Sequence, residues 1–470
     1  MKTERLLIGA ALLWGATCLF SPVRAEESGE QEKDKEQQMM RSIMEKLQPQ
    51  IEAEVQKRVK EELSRVEATR TTAPPAPSST VVSKERVDEL EKQVADLSEA
   101  TKKSFPSQFN PAIGLVGETV ASFDSRKNSQ TGSSRPGGFD INQRSTELNL
   151  SASVDPFARG YAVINASANP ITGEATAAVE EAAVITTSLP YNLTAEGGRF
   201  FGEFGRLAFV HDHELPFVNR PLALDSYIGG ESKTDGLQLN YLLPIDHYVS
   251  WTIGTGDQFG GTLNNPGGYR SLKDLNYWSH LSTYFTLTPD VSLETGVSGL
   301  WNPRTEGRGG VVTLSNNSTR AETQRQLYGL ELTLRYEPLQ NNQFQGLVWG
   351  TEAFVSHNRF LFDPNGTPGT GDEYHAFESS RGFYSYIAAK LSRQWTAGFL
   401  LDYLQNPQWH HDDTFAYSPF LTWNTSHFQT IRLQYTHTDR SKESGLKDDD
   451  AVYLQWVWII GSHSHGFSQR

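Results

Sequence analysis

Thr146-Glu147-Leu148-Asn149-Leu150-Ser151-Ala152-Ser153-Val154 alternates with period two. Thr146, Leu148, Leu150, Ala152 and Val154 leave on one side, and Glu147, Asn149, Ser151 and Ser153 on the other. Successive side chains of a strand point to opposite faces, so the stretch reads as a strand with one apolar and one polar face. The pattern returns at Leu237, Leu239, Tyr241 and Leu243, at Leu330, Leu332, Leu334 and Tyr336, and at Leu454, Trp456, Trp458 and Ile460. About 16 such segments fill residues 113–461, each longer than the roughly five or six residues usual for strands.

The joins sort by parity. Tight ones fall at Asp155-Pro156, Leu189-Pro190-Tyr191, Pro244-Ile245-Asp246, Thr288-Pro289-Asp290, Ser392-Arg393-Gln394 and Thr425-Ser426. Longer Gly-, Asn- and Asp-rich connections cover 124–142, 204–233, 258–275, 303–323 and 360–380. Long strands with alternating short and long joins and an even strand number predict an all-β fold, an antiparallel transmembrane barrel of about 16 strands. Tyr248, Trp251, Tyr277, Trp278, Tyr284, Phe285, Trp301, Tyr384, Tyr386, Trp395, Trp423 and Tyr453 are expected in outward girdles, because one-faced strands offer no second apolar layer inside.

Composition narrows the class. The 470 residues carry a net charge of -14 and one cysteine, with 37% hydrophobic and 11% aromatic residues. The acidic balance argues against nucleic acid. Disulfide chemistry needs more cysteines, and no apolar run after residue 20 is long enough for a membrane helix. A barrel one layer thick accounts for a chain that is polar overall yet rich in aromatics.

The N-terminal part reads differently. Residues 1–25 resemble a signal peptide: Lys2 and Arg5, an apolar stretch Leu6–Phe20, then Val23-Arg24-Ala25. Residues 26–70 form a charged segment with an apolar stripe at Ile43, Leu47, Ile51, Val55, Val59 and Leu63, expected to be helical. A Pro-rich linker spans 71–82. In 83–105, Val87, Leu90, Val94 and Leu97 make the a/d seam of a short coiled coil. The stalk enters the barrel (106–470) on the side of the short turns, which is periplasmic in outer-membrane barrels. The long loops then face outward.

Phe109-Asn110-Pro111-Ala112-Ile113 at barrel entry and Gly198-Arg199-Phe200-Phe201-Gly202-Glu203-Phe204-Gly205 at the end of the fifth strand resemble bacterial outer-membrane porins with a periplasmic coiled coil. The likeness is distantly similar to the phosphate-selective porin family. It implies a homotrimer of barrels in outer-membrane lipid, each a passive channel for small hydrophilic solutes or ions. Phosphate selectivity is not carried over, because residues 106–470 hold 25 basic and 37 acidic residues, and that balance favours cations. Two other readings stay open. One is a structural barrel whose stalk reaches the periplasmic wall layer. The other is a channel that takes up or binds a zinc-type metal ion.

In porins the third outward loop folds into the barrel. Here that loop is 204–233, with Arg206, His211, Asp212, His213, Glu214, Arg220 and Asp225 as candidate constriction residues. Alternation sends Glu147, Gln238, Asn240, Glu294, Glu331, Arg335, Arg432 and Gln434 to the lumen. His211, His213 and Glu214 are candidate metal ligands, since imidazole suits zinc or copper. His410-His411-Asp412-Asp413 and the pair His463 and His465 are further His-rich stretches. No Gly-x-Ser-x-Gly elbow, phosphate-binding loop or His-Glu-x-x-His motif occurs, so neither enzymatic activity nor a cofactor is expected.

Overall fold

A computed structural model describes residues 112–126, 137–169, 172–261, 271–305, 311–313, 318–340, 344–367, 369, 371–408, 412–441 and 446–461. The signal peptide, the charged segment, the linker and the coiled coil lie outside the described residues, as do His410, His411, His463 and His465.

In chain order the strands are β1 (Ala112–Asp124), β2 (Gly138–Asp155), β3 (Ala158–Ala168), β4 (Ala175–Thr186), β5 (Leu193–Phe201), β6 (Lys233–Leu242), β7 (Tyr248–Gly256), β8 (Asn276–Thr288) and β9 (Val291–Asn302). They continue as β10 (Val311–Thr313), β11 (Thr319–Tyr336), β12 (Gly346–Asp363), β13 (Tyr374–Lys390), β14 (Trp395–Gln405), β15 (Asp413–Ser426), β16 (Gln429–Arg440) and β17 (Asp449–Gly461). All pairings are antiparallel between chain neighbours, except that β9 pairs β11 and β17 returns to β1. The three-residue β10 pairs with β11 alone among the described residues, so the other sixteen strands form a closed ring. Closure gives each of these sixteen strands a partner on both sides, as an open sheet could not.

The strand positions follow the sequence reading, but β2, β11, β12 and β13 run further into the long connections. Pairing of β12 with β13 continues to Phe362↔Tyr374. In β11 and β13 the extensions carry polar residues on both faces, while in β2 Phe139 and Ile141 continue the outward face and in β12 Phe360-Leu361-Phe362 is apolar on both; the backbone ladder goes on in all four.

Apolar and polar faces are inverted relative to a globular sheet. Leu237, Val297 and Leu330 on the outer wall are 65%, 50% and 57% exposed, while Glu147, Gln238, Asn240 and Glu331 are buried inside. Among the β-bulges of the described residues, two re-aim charged side chains into the interior. Between β1 and β2 the register skips Arg144, and between β3 and β4 it skips Glu180. An extra residue in one strand re-aims the side chains beside it. Glu180 and Glu181, adjacent in sequence, are thereby both buried, and Arg144 pairs inside with Glu118.

The aromatic expectation is corrected in part. Tyr248, Trp251, Tyr284, Phe285, Trp301, Trp395 and Trp423 are exposed on the outer wall, whereas Trp278, Tyr384 and Tyr386 are buried inside. Neighbours such as Tyr277 and Trp278 cannot share a face. Tyr453 alternates with the outward Val452 and Leu454 and faces the lumen with Ala451 and Gln455. An inner apolar layer exists after all: Phe204, Leu207, Leu215, Phe217, Leu224 and Ile228 cluster with Trp278, Phe354, Tyr384, Tyr386 and Phe420.

Gly254 stands directly opposite Trp278, and a Cβ there would overlap the indole ring. Overpacking typically costs about 1–3 kcal/mol. Gly254→Val is therefore expected to destabilise the barrel by about that amount, read from urea unfolding in lipid vesicles, whereas Gly299→Val, where a Cβ meets nothing, leaves the midpoint nearly unchanged.

Candidate functional site

The chain between β5 and β6 crosses the interior. It turns inward at Gly205, whose left-handed backbone (φ +59°) suits glycine. A side chain there would also crowd the Glu352 carboxylate. The Gly205 N–H donates to Ser298 Oγ on β9 at 2.8 Å, and the Arg206 N–H donates to Glu352 on β12. Further on, the Val218 N–H donates to Gln434 Oε1 on β16 at 2.7 Å. Helix α1 (Leu222–Ile228) follows Pro221 and ends at Gly229, which is left-handed. The N–H groups of Leu222 and Ala223 both donate to the Asp402 carboxylate on β14, the latter at 3.0 Å. The Tyr227 hydroxyl donates to the Gln405 carbonyl at 2.8 Å. In a ring of sixteen, β14 lies eight places from β5, so the loop reaches the opposite wall.

The residues expected at a constriction divide by role. Arg220 holds the loop together: it donates to Asp212 Oδ1 at 3.0 Å and to the carbonyls of Leu207 and Val210, each at 2.7 Å. Arg206 donates to Glu294 Oε1 at 2.8 Å, and Arg335 stands 3.7 Å from the same carboxylate. These three side chains are partly exposed and form one charged group on β9, β11 and the loop. Asp225 lies on the exposed face of α1, and Glu214 is exposed.

All eight residues assigned to the lumen stand on the inner face, several engaged with the loop or with one another. Arg432 Nη1 donates to Gln455 Oε1 at 2.7 Å and to the His213 carbonyl at 3.2 Å. Gln238 Nε2 donates to Glu196 Oε2 at 2.8 Å, and Asn240 Nδ2 donates to Thr252 Oγ1 at 2.8 Å. Glu331 Oε1 lies 2.8 Å from Nε2 of His280, which the sequence reading did not single out. In the long-loop region, the Arg304 guanidinium beside Asp274 holds its carboxyl below the usual carboxylate range.

His211 and His213 meet not Glu214 but strand carboxylates. His213 Nδ1 is 3.2 Å from Glu147 Oε1, and His211 Nδ1 is 3.5 Å from Glu147 Oε2. His211 Nε2 is 3.2 Å from Glu181 Oε2. Glu180 is 3.2 Å from Lys233 Nζ and 3.8 Å from His211. The structure thus brings Glu147, and not Glu214, beside the two histidines. The short 3-10 turn Asp212–Glu214 buries His213 but leaves Glu214 outside. The two consecutive glutamates, Glu180 and Glu181, were the legible sign of a break in alternation.

No family model matches the chain. An uncharacterized protein of Aquifex aeolicus is 28% identical over 359 residues, which is 70% of this chain and 70% of that protein. Among solved structures, the chain is similar to the outer membrane channel DcaP of Acinetobacter baumannii, with a TM-score of 0.49 and 9% identity over 76% of this chain and 99% of that one. It is similar to an anion-selective porin from Comamonas acidovorans, with a TM-score of 0.49 and 6% identity over 75% of this chain and 99% of that one. It is also similar to OprB of Pseudomonas putida, with a TM-score of 0.45 and 9% identity over 78% of this chain and 97% of that one.

Asp402 carries two loop N–H groups at the far wall. A typical hydrogen bond contributes roughly 0.5–1.5 kcal/mol, and a buried donor left without its partner costs about 1–3 kcal/mol. Asp402→Ala is expected to free the loop from β14 while the barrel stays folded. Limited proteolysis in detergent should then cut within 204–233, where the native protein resists.

Proposed function

We propose that the chain is an outer-membrane channel of the porin type, a passive aqueous path for small hydrophilic solutes or ions that leans toward cations. The observation that carries this is the inverted wall: a closed ring with apolar side chains outside and charged ones inside. Lipid offers backbone groups no partners, so a closed barrel is the form a sheet takes there. In this reading 1–25 directs export, the short turns and the coiled-coil stalk are periplasmic, the long loops are extracellular, and three barrels associate. The loop 204–233 is the constriction.

The cation lean rests on the acidic balance of residues 106–470, 25 basic against 37 acidic. Inside, carboxylates and cations are interspersed, with Glu118 paired to Arg144, Glu180 to Lys233 and Glu294 to Arg206. A pore with an overall excess of one sign of charge concentrates ions of the other. A tether between the outer membrane and the wall layer is the second reading, favoured by a loop that spans the lumen to its far wall.

Planar-bilayer recording separates these readings. The purified protein is expected to conduct without added energy, with a reversal potential of cationic sign in a salt gradient. Asp212→Lys, on the partly exposed side of the loop, is expected to move that potential toward anions. Deleting 26–105 leaves conductance intact if the protein is a channel. An inert barrel whose cell-wall association disappears on that deletion supports the tether.

A further inference from the structure

We infer that the lumen holds a site for a divalent cation of the zinc class, built by Glu147 of β2 with His211 and His213 of the crossing loop. One ligand atom from each of these three buried residues lies within 4.8 Å of the others. His213 Nδ1 and His211 Nδ1 stand 3.2 and 3.5 Å from the two oxygens of Glu147. Around a tetrahedral ion with bonds of about 2.0–2.1 Å, ligand atoms stand roughly 3.4 Å apart; each histidine stands near that distance from one Glu147 oxygen, and the three ligand atoms, within 4.8 Å of one another, need only close slightly to share an ion. Two imidazoles and a carboxylate suit zinc, cobalt or nickel and disfavour magnesium or calcium, which prefer all-oxygen shells. Three protein ligands leave a fourth position for water, as in sites that exchange their ion or ligand.

Two features outside this triad point the same way. Glu181 Oε2 lies 3.2 Å from His211 Nε2 and can accept a hydrogen bond from its N–H, which leaves Nδ1 to face Glu147. A carboxylate behind a ligating histidine fixes its tautomer and raises its basicity. Moreover, Glu181 and Glu180 both reach the interior only through the β4 bulge, and bulges are concentrated beside functional sites. Among the described residues, the ion pairs of Glu147 are with the two histidines.

The site deepens the channel reading, but its test does not depend on current. Full-length protein in detergent, stripped with chelator, is titrated with Co2+ and followed by its visible ligand-field absorption. One equivalent with the intense band of four-coordinate cobalt, displaced by Zn2+, is expected. Glu181→Gln should weaken binding roughly 10–100-fold. His211→Ala/His213→Ala should abolish it, and His410→Ala/His411→Ala should leave it unchanged. Heat-modifiable migration on gels reports whether each variant is folded. Should the double alanine variant not fold, Glu147→Gln, nearly isosteric, replaces it with the same expected loss. Failure of the native protein to take up one equivalent overturns the site. So does uptake that survives in the His211/His213 or Glu147 variant, or that is lost with His410 and His411. A barrel that binds cobalt but carries no current keeps the site and removes the channel; one that conducts but binds none removes the site alone.

Discussion

Eleven residue pairs, from Gly114↔Gly461 to Asp124↔Ala451, join the first strand to the last. The rest of the structure depends on this seam. An open sheet of sixteen long strands would leave two edges of unpaired N–H and C=O groups. Closing the ring satisfies them and creates an inside and an outside. Each strand can then be apolar on one face only, and the polar face encloses a space. The chain therefore needs no large apolar interior of its own, which is why its hydrophobic share is only 37%.

That enclosed space is then partly refilled. The loop from Gly205 to Glu231 brings Phe217 and the Leu224–Ile228 face of α1 against aromatic residues of β12, β13 and β15. It brings His211 and His213 against carboxylates of β2 and β4. One surface of the loop is packed like a protein core, and another is a buried charge cluster. Arg220 binds the loop to itself, while Asp402, Gln434 and Glu352 bind it to the wall. The interior is thus divided by a segment that is anchored on several sides rather than suspended from its ends.

The strands were legible because a two-residue period survives wherever one face is apolar. The ends of β11 and β13 were not, since polar residues such as Glu322 and Glu378 erase the period while backbone pairing continues. The eight lumen positions could be assigned by counting. Arg144 could not, because a bulge shifts the count by one residue and there becomes visible only through its partner strand; at Glu180 the adjacent Glu181 marks the break in the sequence itself. The inward aromatics Trp278, Tyr384 and Tyr386 were hidden for a different reason: they pack on other aromatic residues inside the barrel, on a face that the strand period reads as polar, Trp278 on Phe200 and Phe259, Tyr384 on Phe354, and Tyr386 on Phe217 of the crossing loop. Likewise Glu147 replaces Glu214 beside the histidines, because proximity along the chain is a poor guide to proximity across a lumen.

The central claim is that the loop between β5 and β6 sets the aperture of the barrel. Single-channel conductance measured before and after replacing residues 206–231 with a short Gly-Ser linker tests it most directly. The account predicts a clear rise in conductance with loss of ion preference, in a variant that still shows heat-modifiable migration. An unchanged conductance in a folded variant would contradict it.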